Sequence, residues 1–555
     1  MRRMSRAAAK RAARMPRPSR VFLAAFAVFF ALSACWSLAT PMFASPDETS
    51  HLVKAAATVR GEIGGKHGFI QQEMFQGPSR QPTRSYRVPA AYAAQVFPCF
   101  AFAPEMTPVC EKGRPEHPPS RTGSLTMYTT AGHYNPIYYA LVGWPSLLAT
   151  GVHGMYLVRL ASAFVNSLLL AGAVALAASW RRAGFLLAGL LAAATPMVLF
   201  LNGMVNPNSL EVSSAVLAWV AALSLAVQPD PLLQRRRVLT LVGAGALLVN
   251  VRPLGYEWLA VILGTALLVS VGRGAVFAVL RARSTWYAAA AASPALFFGL
   301  WWTLHNGDNA QVPFVKGNAF IPAAHTTLNS AQWDVQCMIA VFGWLDTPAP
   351  MVTYDLWIGV TLLLALVAVA CGRWRQSLAV LALGIGIVAI PVLAQGVEAR
   401  HIGLIWQGRY LLAVAVGLPI LAGAVLAARA DEAGEAGLPT WLDRRIVLTV
   451  GTALAFADLA AFFRALRRYL TGLDGHLLLT KITWQPPGDW ELWVVLYALA
   501  LASAVALYAV LAGAPSGGLG LRTRRTAAES AGPPIARPRS AASGITAWRR
   551  ARAEN

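Results

Sequence analysis

A short acidic stretch directly follows the first long apolar segment of the chain. Its sequence, FASPDETSH, occupies residues 43–51 and contains two carboxylates, Asp47 and Glu48, and the imidazole of His51. On a helix that begins at Asp47, His51 lies one turn further on the same face. These candidate catalytic groups could act as a general base toward a hydroxyl or bind a divalent cation. The alternative is a helix N-cap and a first-turn acid that the helix macrodipole favours.

Two arginines stand out because the sequence predicts them on the external face, where membrane proteins carry few basic residues. Arg252 lies in the segment NVRPLGY, and Arg409 lies in WQGRYL beside Gln407 and Tyr410. The planar guanidinium is suited to phosphate recognition. A side chain that snorkels to lipid headgroups is the alternative. All four residues are candidates for substrate binding.

Further polar and aromatic candidates lie on the same predicted face. The segment GHYNPIYY, residues 132–139, includes His133, Asn135 and Tyr138. Its rings could form an interfacial aromatic belt or stack against a sugar or a prenyl chain. Glu211 falls in the first turn of a predicted membrane helix, where it is either a second acid of the site or an ordinary capping-region acid.

The composition predicts the element that must position these groups, a bundle of membrane helices. Of the 555 residues 56% are hydrophobic and 13% are charged, against about 25% charged in soluble domains. Apolar runs long enough to cross a hydrocarbon core of about 30 Å recur throughout. The fold class expected is an all-α polytopic membrane protein with about twelve transmembrane helices at residues 21–40, 155–179, 183–201, 208–227, 238–251, 255–272, 286–304, 356–372, 376–394, 409–427, 446–463 and 491–513.

The distribution of basic residues predicts the topology. The formal charge of +22 comes from short clusters between apolar runs and from the two tails, which is the positive-inside pattern and not a basic face for nucleic acid. We expect no nucleic-acid partner. If residues 136–151 spanned the bilayer, every cluster from Arg181 onward would lie outside. We therefore predict an interfacial helix at 136–151 and two cytoplasmic termini in the plasma membrane.

The domain organisation follows from these spans. We predict a basic cytoplasmic tail at residues 1–20, a transmembrane domain at 21–513 and a disordered basic cytoplasmic tail at 514–555. The large first external loop covers 41–135, and an amphipathic segment at 305–355 could form a lid. Cys99 and Cys110 lie in the first loop, where they are either a disulfide or two free thiols. No cofactor is certain, and a divalent cation is one possibility.

Several short motifs occur in an order that resembles the predicted membrane proteins catalogued as domain of unknown function 2142. The resemblance covers about residues 20–510. Its more specific motifs are PDExxH at 46–51 and QGRY at 407–410. The others are NPIYY at 135–139, Arg159-Leu160, Pro196-Met197 and FGW at 342–344. That family is similar to the C-type (GT-C) glycosyltransferases, which take sugars from polyprenyl-phosphate donors on the outer face of the membrane.

This resemblance implies roles for particular residues. Asp47, with Glu48 beside it, would be the catalytic centre of the first external loop, and residues 135–145 would match an aromatic element that lies along the membrane. Many of these enzymes have a second acid in the next external loop. Here Asn206 and Asn208 occupy that loop and Glu211 is the nearest acid, which leaves a second acid and a metal site in question.

Three functions remain open from the sequence. The favoured one is a membrane glycosyltransferase with a polyprenyl-phosphate-linked sugar donor and a cell-envelope glycan or lipid acceptor. The second is a transporter or flippase for lipid-linked glycans, which would line its path with polar residues. The third is a non-catalytic scaffold of a polysaccharide assembly complex, in which Asp47 and Arg409 would each be dispensable.

Overall fold

Helices make up most of the chain, because the apolar runs satisfy their backbone hydrogen bonds internally. The computed structural model describes residues 18–74, 77–92, 97–112, 123–270, 272–307, 316–476 and 479–513. Of the described residues, 73% are helical. Its helices are α1 (Pro18–Ala39), α2 (Glu48–Thr58), α3 (Pro136–Gly143), α4 (Gly151–Ala177), α5 (Gly184–Ala193), α6 (Pro196–Asn202), α7 (Pro207–Ala226), α8 (Gln234–Val249), α9 (Gly255–Val269), α10 (Arg273–Arg281), α11 (Arg283–Asn306), α12 (Phe320–Asn329), α13 (Ala331–Ala340), α14 (Met351–Cys371), α15 (Trp374–Ile402), α16 (Leu412–Ala415), α17 (Gly417–Gly437), α18 (Trp441–Thr471) and α19 (Trp490–Ala512).

Within the described ranges, eight helical segments are long and apolar enough to cross a membrane. They are α1, α4, α7, α14, α15, the segment Gly408–Gly434, α18 and α19. Helices α5 and α6 are bent by 65° at a short break before Pro196, and the pair is either a broken ninth span or a re-entrant loop. These helices confirm the prediction of an all-α polytopic membrane protein. The predicted spans at 238–251, 255–272 and 286–304 appear as helices α8, α9 and α11, and the count of twelve spans stays a prediction.

The stretch at 136–151 contains a helix too short to cross a bilayer. Helix α3 has eight residues and is followed by a 3₁₀ turn at Trp144–Leu147, whereas about 20 helical residues are needed to span. That this helix lies along the membrane surface stays a prediction. The tail residues 1–17 and 514–555 lie outside the described residues.

The first loop contains a sheet that the sequence did not predict. Strands β1 (Lys66–Met74), β2 (Gly77–Pro89) and β3 (Ser124–Thr129) form an antiparallel sheet in the order β1-β2-β3. Lys66 pairs with Ser85, and Arg84 pairs with Thr129. Strand β2 contains three Arg and three Pro, and β1 contains Lys, His, Gln and Glu, so these two strands lack the apolar alternation by which strands are recognised.

A disulfide joins Cys99 and Cys110, whose Cα atoms are 6.1 Å apart. This resolves the alternative left open by the sequence and fits an oxidising exterior for the first loop. The disulfide segment is fastened to α18 by the buried Arg468. The guanidinium of Arg468 donates hydrogen bonds to the carbonyls of Phe100, Ala103 and Met106.

The predicted lid at 305–355 is a compact arrangement of short elements. It contains α12, α13 and a small hairpin of β4 (Val341–Phe342) and β5 (Thr347–Pro348). The hairpin carries Trp344, whose indole N–H donates to the carbonyl of Phe43 at 3.0 Å. The hairpin is therefore fixed to the segment that leads into α2. That the region covers a substrate stays a prediction.

Candidate functional site

Asp47 occupies the N-cap position of α2 but does not cap it. Its backbone is left-handed, with φ of 60°, and its side chain makes no capping hydrogen bond. The N-cap interpretation of this carboxylate is therefore wrong. The carboxylate instead accepts a hydrogen bond from Nη2 of Arg409 at 2.8 Å, and 49% of the side chain is exposed. A left-handed non-glycine residue costs about 1–3 kcal/mol, and such residues concentrate at functional sites.

Glu48 has a different environment although it is the next residue. Its two carboxylate oxygens accept hydrogen bonds from Nε and Nη2 of Arg159 at 2.7 and 2.6 Å, and both side chains are buried. Arg159 lies in α4, and its remaining donors bind backbone carbonyls at the end of α1, those of Ser37, Thr40 and Pro41. The pair therefore joins α1, α2 and α4 directly below Asp47.

His51 is buried in α2 and remains uncharged. Its Nδ1 shares a hydrogen bond with the hydroxyl of Tyr139 at 2.9 Å. Burial lowers the pKa of His51 to about 3; Asp47 opposes this shift, while Arg409 and Arg252 add to it. Because these charges act on one imidazole, the structure brings His51, Asp47 and both arginines together. A neutral His51 can orient the hydroxyl of Tyr139. It cannot donate a proton as a general acid near neutral pH, because it carries no extra proton there.

The lowered pKa of His51 predicts how stability changes with pH. An unfolded histidine titrates near pH 6.5, so between pH 6.5 and about 3 the unfolded chain binds a proton that the folded chain does not. Stability from this group is complete above pH 6.5 and falls, as the pH drops toward 3, by up to about 1.4 kcal/mol per pH unit. We expect His51→Gln to weaken the pH dependence of the free energy of unfolding between pH 4 and 6 by the equivalent of one bound proton. The free energy is measured by unfolding in detergent. The exposed-site variant His153→Gln is the control, and an equal slope in both variants would contradict the assignment.

Arg409 combines an ion pair with unused hydrogen-bond donors. The side chain is 3% exposed, and its Nε and Nη1 have no hydrogen-bond partner among the described residues. A buried donor left unpaired costs about 1–3 kcal/mol. The site is therefore deficient in hydrogen-bond acceptors, and an anion could supply them. The amide oxygen of Gln407, two residues earlier, is also buried without a partner.

The QGRY motif has a steric reason for its glycine. A Cβ atom on Gly408 would lie 2.0 Å from the carbonyl oxygen of Asp334 in α13. Only glycine allows this close approach, which fixes the backbone that presents Arg409. Two asparagines at the N-terminus of α7, its N-cap residue Asn206 and the helical Asn208, contact the backbone on either side of the Asp47–Arg409 pair. The Nδ2 of Asn208 donates to the carbonyl of Arg409 at 3.4 Å, and that of Asn206 donates to the carbonyl of Pro46 at 3.2 Å.

Arg252 and Arg409 both lie close to the ring of Tyr410. The ring of Tyr410 is 4.5 Å from the guanidinium of Arg252 and 5.5 Å from that of Arg409. Nη1 of Arg252 donates to Glu211 at 3.2 Å, and the indole of Trp258 donates to the other oxygen of Glu211 at 3.1 Å. Glu211 is wholly buried, so its carboxylate balances Arg252 and does not face solvent as a second acid.

The remaining candidates differ in their surroundings. The ring of His133 packs on Tyr134 with centroids 4.1 Å apart. Asn135 caps α3 through its side-chain oxygen and donates to Asn250 at 3.1 Å. Tyr138 is buried, and its hydroxyl lies 3.2 Å from Oγ of Ser162. Asn135 and Tyr138 therefore hold helices together, whereas the ring of His133 lies on the aromatic side chain that also packs near His51.

Sequence reasoning missed several residues that shape the site. Lys54, two turns after Asp47, is wholly buried and donates to the hydroxyl of Tyr86 and to the carbonyls of Ile63 and Gly132. Burial lowers its pKa to about 7. It fastens the sheet of the first loop to α2. Nothing in the local sequence separates Lys54 from an ordinary exposed helix lysine.

No cluster of three metal-type ligands includes Asp47 and His51 in the described part of the chain. The one group found is Cys99, Cys110 and Glu111, and its two sulfurs are joined in the disulfide. A cation bound by Asp47 and His51 would also compete with Arg409 for the carboxylate. The possibility of a divalent cation therefore stays a prediction without a ligand set.

The helices, the sheet-bearing first loop and the charged cluster define a multi-pass helical membrane protein with a polar site at one end of its bundle. The chain belongs to the family of predicted membrane proteins named DUF2142, whose profile matches residues 30–418. No curated protein matches the chain.

Two solved structures of ArnT from Cupriavidus metallidurans align with most of the chain. The one bound to undecaprenyl phosphate has a TM-score of 0.39 and 16% identity, covering 89% of this chain and 77% of that one. The apo structure has a TM-score of 0.41 and 16% identity, covering 89% and 76%. At this level of similarity the likeness carries no functional inference.

Proposed function

We propose that the protein is a membrane glycosyltransferase that moves a sugar from a polyprenyl-phosphate donor to a cell-envelope glycan or lipid on the outer face of the plasma membrane. The observation that carries this proposal is the pair of Asp47 and Arg409. It combines a half-exposed carboxylate with a buried guanidinium that has two unused donors. A general base and a phosphate-binding group are the two parts that such a transfer needs.

Different nitrogens of Arg409 would bind Asp47 and the donor phosphate. Nη2 holds the Asp47 carboxylate, which leaves Nε and Nη1 for the phosphate oxygens of the donor. Arg252, whose guanidinium also lies close to the ring of Tyr410, adds a second positive charge. Because Nε and Nη1 are enclosed, the segment 406–410 has to shift to admit a phosphate. Such loop movements commonly accompany substrate binding.

The reaction then balances without another reagent. A hydroxyl oxygen of the acceptor forms a bond to the anomeric carbon of the sugar, and the bond from that carbon to the phosphate oxygen breaks. Asp47 takes the hydroxyl proton, and the polyprenyl phosphate leaves with its negative charge beside Arg409 and Arg252. Stabilising charge that develops on the leaving group is the largest single contribution to many such reactions.

Binding of the lipid phosphate tests the role of Arg409. We expect Arg409→Gln to weaken binding of undecaprenyl phosphate by about 10-fold to 100-fold, because a charge-assisted hydrogen bond is worth about 1.5–3 kcal/mol. Binding is measured on the purified protein in detergent by native mass spectrometry. The control, Arg373→Gln, removes an exposed arginine that pairs with Glu432. Equal binding by both variants would remove Arg409 from the donor site.

A further inference from the structure

Helix α11 carries aromatic residues near both of its ends. Trp286 and Tyr287 lie in its first turns, and Trp301 and Trp302 lie 15 residues further on, which is about 22 Å along a helix. Tryptophan and tyrosine concentrate at the two headgroup levels of a bilayer. The indole of Trp302 donates to the carbonyl of His133 at 2.9 Å, so the later pair lies beside the candidate site. The Trp286 end therefore faces the opposite way.

Helix α8 runs in the same direction as α11, toward the candidate site. Its far end leads to Asn250, which accepts a hydrogen bond from Asn135 of the site region. It begins at Gln234, whose side chain donates to the carbonyl of Ala278 in α10 at 3.0 Å. The first turns of α8 and α11 and the short helix α10 thus form one surface at the end of the bundle away from Asp47.

This surface is both basic and aromatic, and we call it the basic aromatic surface. Its exposed members are Leu232, Arg235, Arg236, Phe277, Leu280, Arg281, Arg283, Trp286 and Tyr287. The guanidinium of Arg281 lies 5.8 Å from the ring of Phe277. The sequence has no acidic residue between Glu257 and Asp308, and the carboxylate of nearby Asp230 accepts a hydrogen bond from the backbone of Leu232. Asp230 can therefore offset at most one of the four exposed arginine charges of this surface.

We propose that the basic aromatic surface binds the headgroups of anionic phospholipids in the leaflet opposite the candidate site. The exposed rings and leucines reach into the boundary between headgroups and acyl chains, as in amphipathic interfacial helices. The arginines remain at the phosphate level, where each basic residue contributes about fivefold in affinity for an anionic surface. Charge complementarity and the headgroup level of Trp286 favour a lipid over an acidic protein. This inference does not depend on the proposed transfer reaction.

Short-chain phosphatidylglycerol and phosphatidylcholine are the probes for this surface. Their affinities for the full-length protein are compared in neutral detergent by native mass spectrometry. We expect Arg281→Gln with Arg283→Gln to lower the affinity for phosphatidylglycerol by about 25-fold and to leave that for phosphatidylcholine unchanged. The control, Lys66→Gln with Arg87→Gln, removes two exposed charges from the first-loop sheet and is expected to change neither affinity.

Two outcomes would overturn the proposal. Unchanged phosphatidylglycerol affinity would exclude these arginines, and an equal loss for both lipids would indicate only general apolar contact. A measurement on the unaltered protein guards against misfolded variants. Because exposed charges are screened by salt, its preference for phosphatidylglycerol should decline steadily as potassium chloride is added. A preference that is insensitive to salt would also contradict the proposal.

Discussion

Asp47→Asn is expected to reduce sugar transfer by about 10²-fold to 10⁴-fold, which is the usual contribution of a general base. Asparagine has nearly the same shape, and its side-chain oxygen can still accept the hydrogen bond that Asp47 receives from Arg409. It cannot take the acceptor proton. Transfer is measured in nanodiscs with a polyprenyl-phosphate-linked sugar as donor, alongside the unfolding temperature.

The same variant should retain or improve its binding of undecaprenyl phosphate. Asparagine leaves Nη2 of Arg409 with an uncharged acceptor and removes a negative charge beside the phosphate. Arg409→Gln has the opposite effect on binding, so the two variants separate the base from the phosphate-binding group. The matched control is Asp431→Asn, which alters an aspartate near Arg181 outside the site. Normal transfer by Asp47→Asn would sink the enzymatic proposal and leave the transporter and scaffold alternatives.

Glu48→Gln is expected to destabilise the fold by about 3–5 kcal/mol, because it leaves a buried arginine without its counter-charge. Arg159 is 1% exposed and Glu48 is 2% exposed, so water cannot replace the missing carboxylate. The change is measured by chemical or thermal unfolding in detergent. Asp47→Asn, at the adjacent but half-exposed residue, should lower stability much less.

A double variant separates the stability effect from any chemical role of Glu48. Replacing both members of a buried ion pair by apolar residues of similar size is often close to neutral. We therefore expect Glu48→Met with Arg159→Met to regain most of the stability lost in Glu48→Gln. A double variant as unstable as the single one would show that the hydrogen bonds of Arg159 to the carbonyls of Ser37, Thr40 and Pro41 matter more than the charge pair. Transfer by a stable double variant would exclude Glu48 from the chemistry.

Asp47 and Glu48 show why local sequence could not assign separate roles to neighbouring acids. Asp47 and Glu48 are neighbours, and the sequence predicted related roles for them. In the fold Asp47 meets Arg409, which is 362 residues away, and Glu48 meets Arg159, which is 111 residues away. The left-handed backbone at Asp47 turns its carboxylate away from the helix that it precedes. No short-range pattern contains those partners, so the two acids could not be distinguished.

The first loop shows the same limit for secondary structure. The helix after Asp47 was predictable because Gly61 and its neighbours end a short apolar run, and α2 ends at Thr58. The sheet was not predictable, since the sequences of β1 and β2 mix polar and apolar residues without regular alternation, and the sheet depends on strand pairing and on contacts such as that of Lys54 with Tyr86. The disulfide depended on the approach of two cysteines within a folded loop.

The sequence by itself determined that this is a multi-pass helical membrane protein of its family, because hydropathy, helix length and motif order are local properties. It also singled out the acidic stretch at 43–51 and the arginines at 252 and 409. The tertiary structure alone decided which carboxylate remains accessible and which arginine donors remain unused. Burial and hydrogen-bond partners arise from segments that are distant in the chain, and these determine whether a charged side chain supports the fold or faces a substrate.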